Sequence, residues 1–155
     1  DQGEGGGQGN PTSWCLGSQY WSANPHVSDY QAKYGILLDM VGGPNALFIQ
    51  EGYSIYYAPE LVKEVWDYAI QEGFLDYFSF DQINDYAVLD DHTVINEITL
   101  SNNRHIPTID IIEYDNSNDH RFNKFWHTHG DNMDNIDKQT LHAVGQTVLS
   151  FIYNE

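Results

Sequence analysis

Cysteine and basic residues are scarce in this chain of 155 residues. The one cysteine, Cys15, excludes an internal disulfide and any zinc cluster built from several thiolates. Lysine and arginine number 6 against 23 aspartates and glutamates, and the formal net charge is -17. Because nucleic acids and anionic membranes attract basic residues, the sequence predicts neither as a partner. The acidity indicates either a solvated surface or carboxylates gathered at a metal site.

The chain also lacks any run of about 18 apolar residues, so the sequence predicts no membrane-spanning helix. Hydrophobic residues make up 41% and aromatic residues 14% of the chain, which indicates a globular fold rather than disorder. The length suits one domain with a single core. Because the chain begins DQGEGGGQGN, without a methionine, we expect residues 1–155 to be cut from within a larger domain.

Strand and helix patterns alternate after a loop rich in glycine at residues 1–13. The apolar strands are nearly continuous, as is typical of an α/β fold with a covered, mostly parallel sheet. Ligands of such sheets bind beyond the carboxyl ends of the strands. The predicted elements are a short helix at WCLGSQYWSA (14–23), a strand at YGILLDMVGG (34–43), a second strand or edge at ALFIQEG (46–52), a helix from Pro59 to Gly73, a strand at IPTIDIIEY (106–114) and a final helix.

The final helix has the clearest signals of the predicted elements. Asp137 can cap its first turn, and Ile136 and Leu141 are spaced as a hydrophobic staple. We expect one face of this helix to be buried through a stripe formed by Leu141, Val144, Val148 and Ile152.

Asp39 interrupts the apolar run ILLDMVG directly before two glycines. This pattern predicts that Asp39 lies at the carboxyl end of its strand. A carboxylate buried there is costly unless it is hydrogen-bonded, paired or bound to a metal. Asp39 therefore either caps the following turn or belongs to a functional site.

Two adjacent aspartates and a histidine precede an apolar stretch in LDDHTVIN (89–96). Carboxylates favour helix N-termini, where backbone N–H groups lack partners within the helix. One aspartate is enough for such a cap, so the other is available to orient a nearby group or to hold a proton. His92 has either a structural hydrogen bond or a role in the site.

The segment FWHTHGD (125–131) contains two histidines one residue apart. In an extended segment, His127 and His129 would point to the same side, and neutral imidazole is a common zinc ligand. The same residues also suit a polar turn that leads into the final helix. The HxH spacing alone is a weak signal for a metal site.

The order of these motifs resembles that of the zinc-dependent M28 peptidase family, and in particular its bacterial, Bacteroidetes-like glutaminyl-peptide cyclotransferases (glutaminyl cyclases). The resemblance implies a three-layer α/β fold with helices flanking a mixed, mostly parallel central sheet. It covers nearly the whole chain but only the later part of a family domain, so residues 1–155 would be the C-terminal portion of one zinc catalytic domain. The matching segments are LLDMVGGPN (37–45), LDDHTVIN (89–96), IPTIDII (106–112), FWHTHGDNMDNID (125–137) and TLHAVGQTVLSFIYNE (140–155).

The resemblance implies zinc as the cofactor. Its ligands in the family are an upstream acidic residue, the second acid of a Glu-Glu or Glu-Asp pair, and the histidine of a WHT-like motif. By this match His127 and Asp1 are metal ligands, whereas the upstream acid and the general-base glutamate are not in the chain. His129 matches no ligand position.

The resemblance also implies roles for two acids and two tryptophans. Asp39 matches an acid that binds the second zinc of two-zinc aminopeptidases and belongs to a proton and hydrogen-bond network in single-zinc cyclases. Asp90 matches another member of that network. Trp126 resembles a wall of the substrate pocket. Trp14 is a second candidate for the pocket wall. The glycine-rich loop after Asp1 shifts the position of Trp14 relative to the animal enzymes.

The implied activity is the conversion of an N-terminal glutamine to pyroglutamate, with peptide or protein N-termini as substrates. GGPN after DMV and the tryptophan before His127 favour this activity over a two-zinc aminopeptidase. A non-catalytic binding domain of the same fold is the third alternative. The family implies a secreted or periplasmic location, and we expect the chain to be inactive without the upstream acids.

Overall fold

A computed structural model describes residues 13–80, 86–117, 119 and 121–154 of the chain. Asp1, one of the two predicted metal ligands, lies outside the described residues. None of the helices in the described ranges is long and apolar enough to cross a membrane. The elements are α1 (Leu16–Ala23), β1 (Gly35–Asp39), α2 (Gly52–Tyr57), α3 (Pro59–Gln71), α4 (Asp91–Ser101), β2 (Thr108–Ile112) and α5 (Lys138–Asn154), with a short 3-10 helix at Met133–Asn135.

The two strands β1 and β2 pair in parallel along their whole length. Isolated bridges join Phe48 in parallel to Phe78 and antiparallel to Glu113. The pairing is therefore mixed with a parallel centre, and helices flank it, which confirms the predicted fold class. The strand predicted at residues 46–52 is reduced to the bridges at Phe48.

The two faces of β2 differ in chemistry, although all five of its residues are buried. Alternate residues of a strand point to opposite faces. Ile109 and Ile111 belong to the main apolar core, together with residues of α3 and α5. On the other face, Thr108 is hydrogen-bonded to Asn96 of α4, and Asp110 approaches His92 of the same helix. Helices thus cover β2 on an apolar side and on a polar side.

Helix α3 supplies much of the apolar core, as its sequence pattern predicts. It begins at Pro59, where proline lacks only an N–H that would have no partner in the helix. Trp66 is fully buried, packs edge-on against Phe78 with ring centroids 5.3 Å apart, and donates its indole N–H to the Ser79 carbonyl at 2.9 Å. Gly73, with a φ of 84°, follows the helix in the left-handed region that glycine adopts without strain.

Helix α5 confirms the predicted cap and half of the predicted stripe. The Asp137 carboxylate accepts a hydrogen bond from the Gln139 N–H at 2.9 Å. Val144 is buried and Val148 packs against the core, as predicted. Leu141 and Ile152 are 43% and 50% exposed, so their predicted burial is wrong. The buried face also contains residues that the predicted stripe did not include, most of them small or polar: Thr140, Ala143, Thr147, Ser150 and Phe151.

Strand β1 is also less buried than its apolar sequence predicts. Leu38 is 45% exposed, and the other residues of the strand are half-buried. Within the described ranges β1 pairs only with β2, so one of its edges has no neighbouring strand there.

Asn96 ties α4 to the start of β2. Its fully buried amide donates to the carbonyl of Thr108 at 2.7 Å and to that of His92 at 2.8 Å, and its oxygen accepts from the Thr108 N–H at 3.0 Å. We predict that Asn96→Ala lowers the free energy of unfolding of the full-length protein by about 2–4 kcal/mol, because buried groups left unpaired cost about 1–3 kcal/mol each. Urea denaturation measures this change.

The matched control is Asn24→Ala. Asn24 is exposed, and its side-chain amide donates one hydrogen bond, to the Tyr20 carbonyl at 3.0 Å. This substitution should change the free energy of unfolding by less than about 0.5 kcal/mol. Equal effects of the two substitutions would contradict a special role for the buried amide.

Candidate active site

Asp39 and Asp90 meet where β1 ends and α4 begins. Asp39 is the last residue of β1, as predicted. Asp90 is the N-cap of α4 and accepts a hydrogen bond from the Asp91 N–H at 2.7 Å, which confirms the predicted helix cap. The two side chains line the same cavity, and Asp90 is close enough to raise the pKa of Asp39. The pair therefore joins the end of a strand to the start of a helix about fifty residues away.

Burial and charge repulsion change the protonation of Asp39. Burial, followed by repulsion from the Asp90 carboxylate, raises the pKa of Asp39 to about 6. A hydrogen bond from the Met40 N–H opposes this rise in pKa. Two carboxylates cannot both ionise freely at such close range. The pair is therefore suited to hold a proton in the mildly acidic to neutral range.

Cys15 supports Asp90 from the neighbouring helix α1. Its buried thiol donates to an Asp90 oxygen at 3.8 Å. Among the described residues, Cys15, Asp90 and Asp91 offer atoms within 4.8 Å of one another that could ligate a metal. Burial and the neighbouring carboxylates raise the pKa of the thiol to about 12. Since a metal binds the thiolate rather than the thiol, Cys15 acts here as a hydrogen-bond donor.

His127 lies in a compact turn, not in an extended segment. The Trp126 N–H donates to the Asn123 carbonyl at 2.8 Å, and the φ of His127 is 57°. Its ring stacks on the Trp126 ring with centroids 3.7 Å apart and an interplanar angle of 22°. The extended conformation that would align His127 with His129 is therefore not adopted.

One cavity of about 250 Å³ brings together all the predicted site residues that the structure describes. These residues are Asp39, Asp90, Trp14, Trp126 and His127. A second cavity of about 340 Å³ adjoins the first and shares with it Asp39, Met40, Trp126 and His127. His129 is not among the described residues that line either cavity.

The described donors are of the kinds that zinc binds. The exposed imidazole of His127 shares the smaller cavity with the carboxyl groups of Asp39 and Asp90. Zinc takes imidazole nitrogen and carboxylate oxygen as ligands. The chemistry of these side chains therefore fits zinc, with the His127 imidazole as the candidate ligand among the described residues.

A buried polar cluster behind the Asp39–Asp90 pair was not predicted. Glu51 and His92 are fully buried, with His92 Nε2 2.9 Å from Glu51 Oε2, so His92 has the structural hydrogen bond that the sequence left as one alternative. Its Nδ1 lies 3.7 Å from an oxygen of buried Asp110. Asp110 interrupts the apolar strand TIDII much as Asp39 interrupts ILLDMVG, and this signal could have identified it.

The pKa values of the two acids of this cluster are shifted in opposite directions. Burial, with repulsion from Asp90 and Asp39, raises the pKa of Asp110 well above its usual range. Burial also acts to raise the pKa of Glu51. The hydrogen bond and charge of His92, together with bonds from backbone N–H groups, act against burial and lower the pKa of Glu51 overall. The cluster therefore contains one carboxylate that stays ionised and one carboxyl that favours its neutral form.

Solved structures similar to this chain include bacterial glutaminyl cyclases and an aminopeptidase precursor. A glutaminyl cyclase from Bacteroides thetaiotaomicron, solved with N-acetylhistamine, is 50% identical with a TM-score of 0.88, and the match covers 100% of this chain and 51% of that one. A glutaminyl cyclase from Porphyromonas gingivalis is 46% identical, with a TM-score of 0.87 over 99% of this chain and 51% of its own. A leucine aminopeptidase precursor from Bacteroides thetaiotaomicron is 49% identical with a TM-score of 0.85, and the match covers 98% of this chain and 48% of that one.

The chain spans about half the length of these solved relatives. A search of curated protein sequences finds no match. The family model described as peptidase family M28 matches residues 8–152. The predicted family is thereby confirmed, and the chain belongs to peptidase family M28.

Proposed function

We propose that this chain is the C-terminal portion of a zinc-dependent glutaminyl cyclase, which converts the N-terminal glutamine of peptides to pyroglutamate and releases ammonia. The observation that carries the proposal is the cavity that collects Asp39, Asp90, Trp14, Trp126 and His127. The similarity to two solved glutaminyl cyclases, at 50% and 46% identity, supports it.

In the proposed site, His127 and Asp1 hold the metal. Zinc, when bound there, supplies a Lewis acid for the γ-carboxamide carbonyl of the glutamine. The nucleophile is the α-amine of the same residue, so the effective molarity of the attacking group is high. The protein then has to place the side chain, exclude water and move one proton.

The Asp39–Asp90 pair is proposed to serve the proton transfer. Cyclisation takes a proton from the attacking amine and delivers one to the departing ammonia, a task for a general acid–base group. Asp39, with a pKa raised to about 6 by burial and by Asp90, can keep a neighbouring base in position and share its proton. The pairing places this proton on the cavity wall that also contains His127.

Aromatic side chains are proposed to enclose the glutamine side chain. Trp126 packs against Phe122 with ring centroids 5.0 Å apart, and both line the smaller cavity together with Trp14. A volume of about 250 Å³ suits one small side chain. Excluding water from this space favours attack by the amine over hydrolysis.

A two-zinc aminopeptidase is the alternative function, supported by the 49% identity to a leucine aminopeptidase precursor. In that case Asp39 would be a ligand of a second zinc. The raised pKa of Asp39 beside Asp90 instead supports a shared proton, because a carboxyl group that holds a proton is a poor ligand. The proton-network role, and with it the cyclase, is therefore preferred. A secreted or periplasmic location is part of the proposal by family membership alone.

Product analysis distinguishes the two activities. We predict that the full-length protein converts peptides with N-terminal glutamine to pyroglutamyl peptides, measured by mass spectrometry, and contains about one zinc per chain. Release of free N-terminal amino acids with about two zinc ions per chain would establish the aminopeptidase instead. If the zinc-loaded protein shows neither activity, a non-catalytic binding domain is the remaining alternative.

The two histidines of FWHTHGD form a matched pair of variants. We predict that His127→Ala abolishes zinc retention and activity, because it removes the proposed ligand on the cavity wall. His129→Ala should largely retain both, since His129 is exposed and outside the described cavity linings. Metal analysis after gel filtration measures the retention. The reverse result would overturn the ligand assignment.

The raised pKa of Asp39 predicts a dependence of stability on pH. Since the pKa of Asp39 in the folded protein, about 6, exceeds the 3.8 of an unperturbed aspartate, folding favours the protonated carboxyl. The resulting stabilisation is complete below about pH 4 and is lost as the pH rises through about 6. In zinc-free protein, the stability of Asp39→Asn relative to the wild type should therefore increase as the pH is raised from 4 to 8.

Thermal unfolding in the presence of a chelator measures this relative stability. The control is Asp134→Asn at an exposed position, whose effect on the melting temperature should stay constant with pH. A pH-independent difference for Asp39→Asn would show that Asp39 ionises normally in the folded protein.

A further inference from the structure

Glu51 is the most heavily hydrogen-bonded carboxylate described in the structure, and it is fully buried. One of its oxygens accepts from the N–H groups of Tyr53 at 2.9 Å and Val88 at 2.8 Å. The other accepts from the Ser54 N–H at 2.7 Å, from the Ser54 hydroxyl at 2.8 Å and from His92 Nε2 at 2.9 Å. Capping α2 uses the bonds from Tyr53 and Ser54, so the bonds from Val88 and His92 go beyond a helix cap.

Those two additional bonds lie on either side of Asp90 in the chain. The Val88 N–H is two residues before Asp90, and the His92 ring is two residues after it. Glu51 therefore holds the segment that carries Asp90 at two points. Asp90 itself lines the cavity together with Asp39.

A chain of buried hydrogen bonds connects His92 to β2 through Glu51. The Asp110 N–H of β2 donates to the Ser54 hydroxyl at 2.9 Å, that hydroxyl donates to Glu51, and Glu51 is bonded to His92 Nε2. The other ring nitrogen, Nδ1, lies 3.7 Å from an Asp110 carboxyl oxygen, which is a charge contact and not a hydrogen bond. The three buried bonds hold Glu51 and His92 in place, because breaking any of them leaves a buried polar group unpaired.

We propose that His92 is a positioning residue for the reaction, which acts by holding Asp90 opposite Asp39 through its bond to Glu51. This inference rests on the proposed function, in which the Asp39–Asp90 pair manages a proton. His92 is fully buried and is not among the residues that line the two cavities described above. Its contribution is the placement of the first turn of α4, and small displacements of groups that support an active site reduce turnover strongly.

The test compares two substitutions of His92 in the full-length protein with its zinc bound. His92→Leu replaces the ring by an apolar side chain and should lower kcat roughly 10- to 100-fold, with KM and zinc content nearly unchanged. His92→Gln carries an amide N–H that can reach Glu51, and it should restore most of the lost kcat. If His92→Leu does not fold, His92→Asn, whose side chain is too short to reach Glu51, replaces it with the same expected loss.

Thr99→Val is the matched control for simple destabilisation. Thr99 is a fully buried residue near the other end of α4, and its hydroxyl accepts from the Ile106 N–H at 3.1 Å. This substitution should lower the melting temperature and leave kcat unchanged. A similar loss of kcat in Thr99→Val, no recovery in His92→Gln, or full activity of His92→Leu would each overturn the proposal.

A failure of the proposed function can be separated from a failure of this inference. If the wild type is an aminopeptidase, the same variants are compared on that activity. If it has neither activity, crystal structures of the wild type and His92→Leu decide the question. An Asp90 carboxyl turned away from Asp39 in the variant supports the proposal, and an unchanged carboxyl overturns it.

Discussion

The buried backbone of β2 needs hydrogen-bond partners beyond β1, and the arrangement of the site depends on this constraint. The N–H and carbonyl groups of Thr108 are bonded to Asn96 of α4, and the N–H of Asp110 donates to the Ser54 hydroxyl of α2. Unpaired polar groups in such a position would each cost about 1–3 kcal/mol. These bonds fix α4 against the sheet, and the first turn of α4 carries Asp90 to the end of β1.

Crowding of negative charge follows from the same packing. Burial, with repulsion from neighbouring carboxylates that include Asp90, raises the pKa values of Asp39 and Asp110. Glu51 is the exception, because His92 lies against it and lowers its pKa. An acidic chain with a net charge of -17 thus keeps several carboxyl groups close together at one end of the sheet.

Several features of the site could be predicted from the sequence because their causes are local. An aspartate that interrupts an apolar run before two glycines ends a strand, and Asp39 does so. Adjacent acids before an apolar stretch cap a helix, and Asp90 does so. The buried face of α5 could not be predicted in the same way, because Thr140 and Thr147 pack inside while Leu141 is exposed. Hydropathy does not show which side of a helix its neighbours will cover.

The sequence by itself determined the α/β class, the M28 family, the strand end at Asp39 and the helix start at Asp90. Only the tertiary structure placed Glu51 against His92, since these residues are 41 positions apart and no local pattern joins them. It also decided that His127 lies in a turn with its ring on Trp126, which separates it from His129. Local propensities act over a few residues, whereas the packing of helices against β2 decides which distant polar groups must pair.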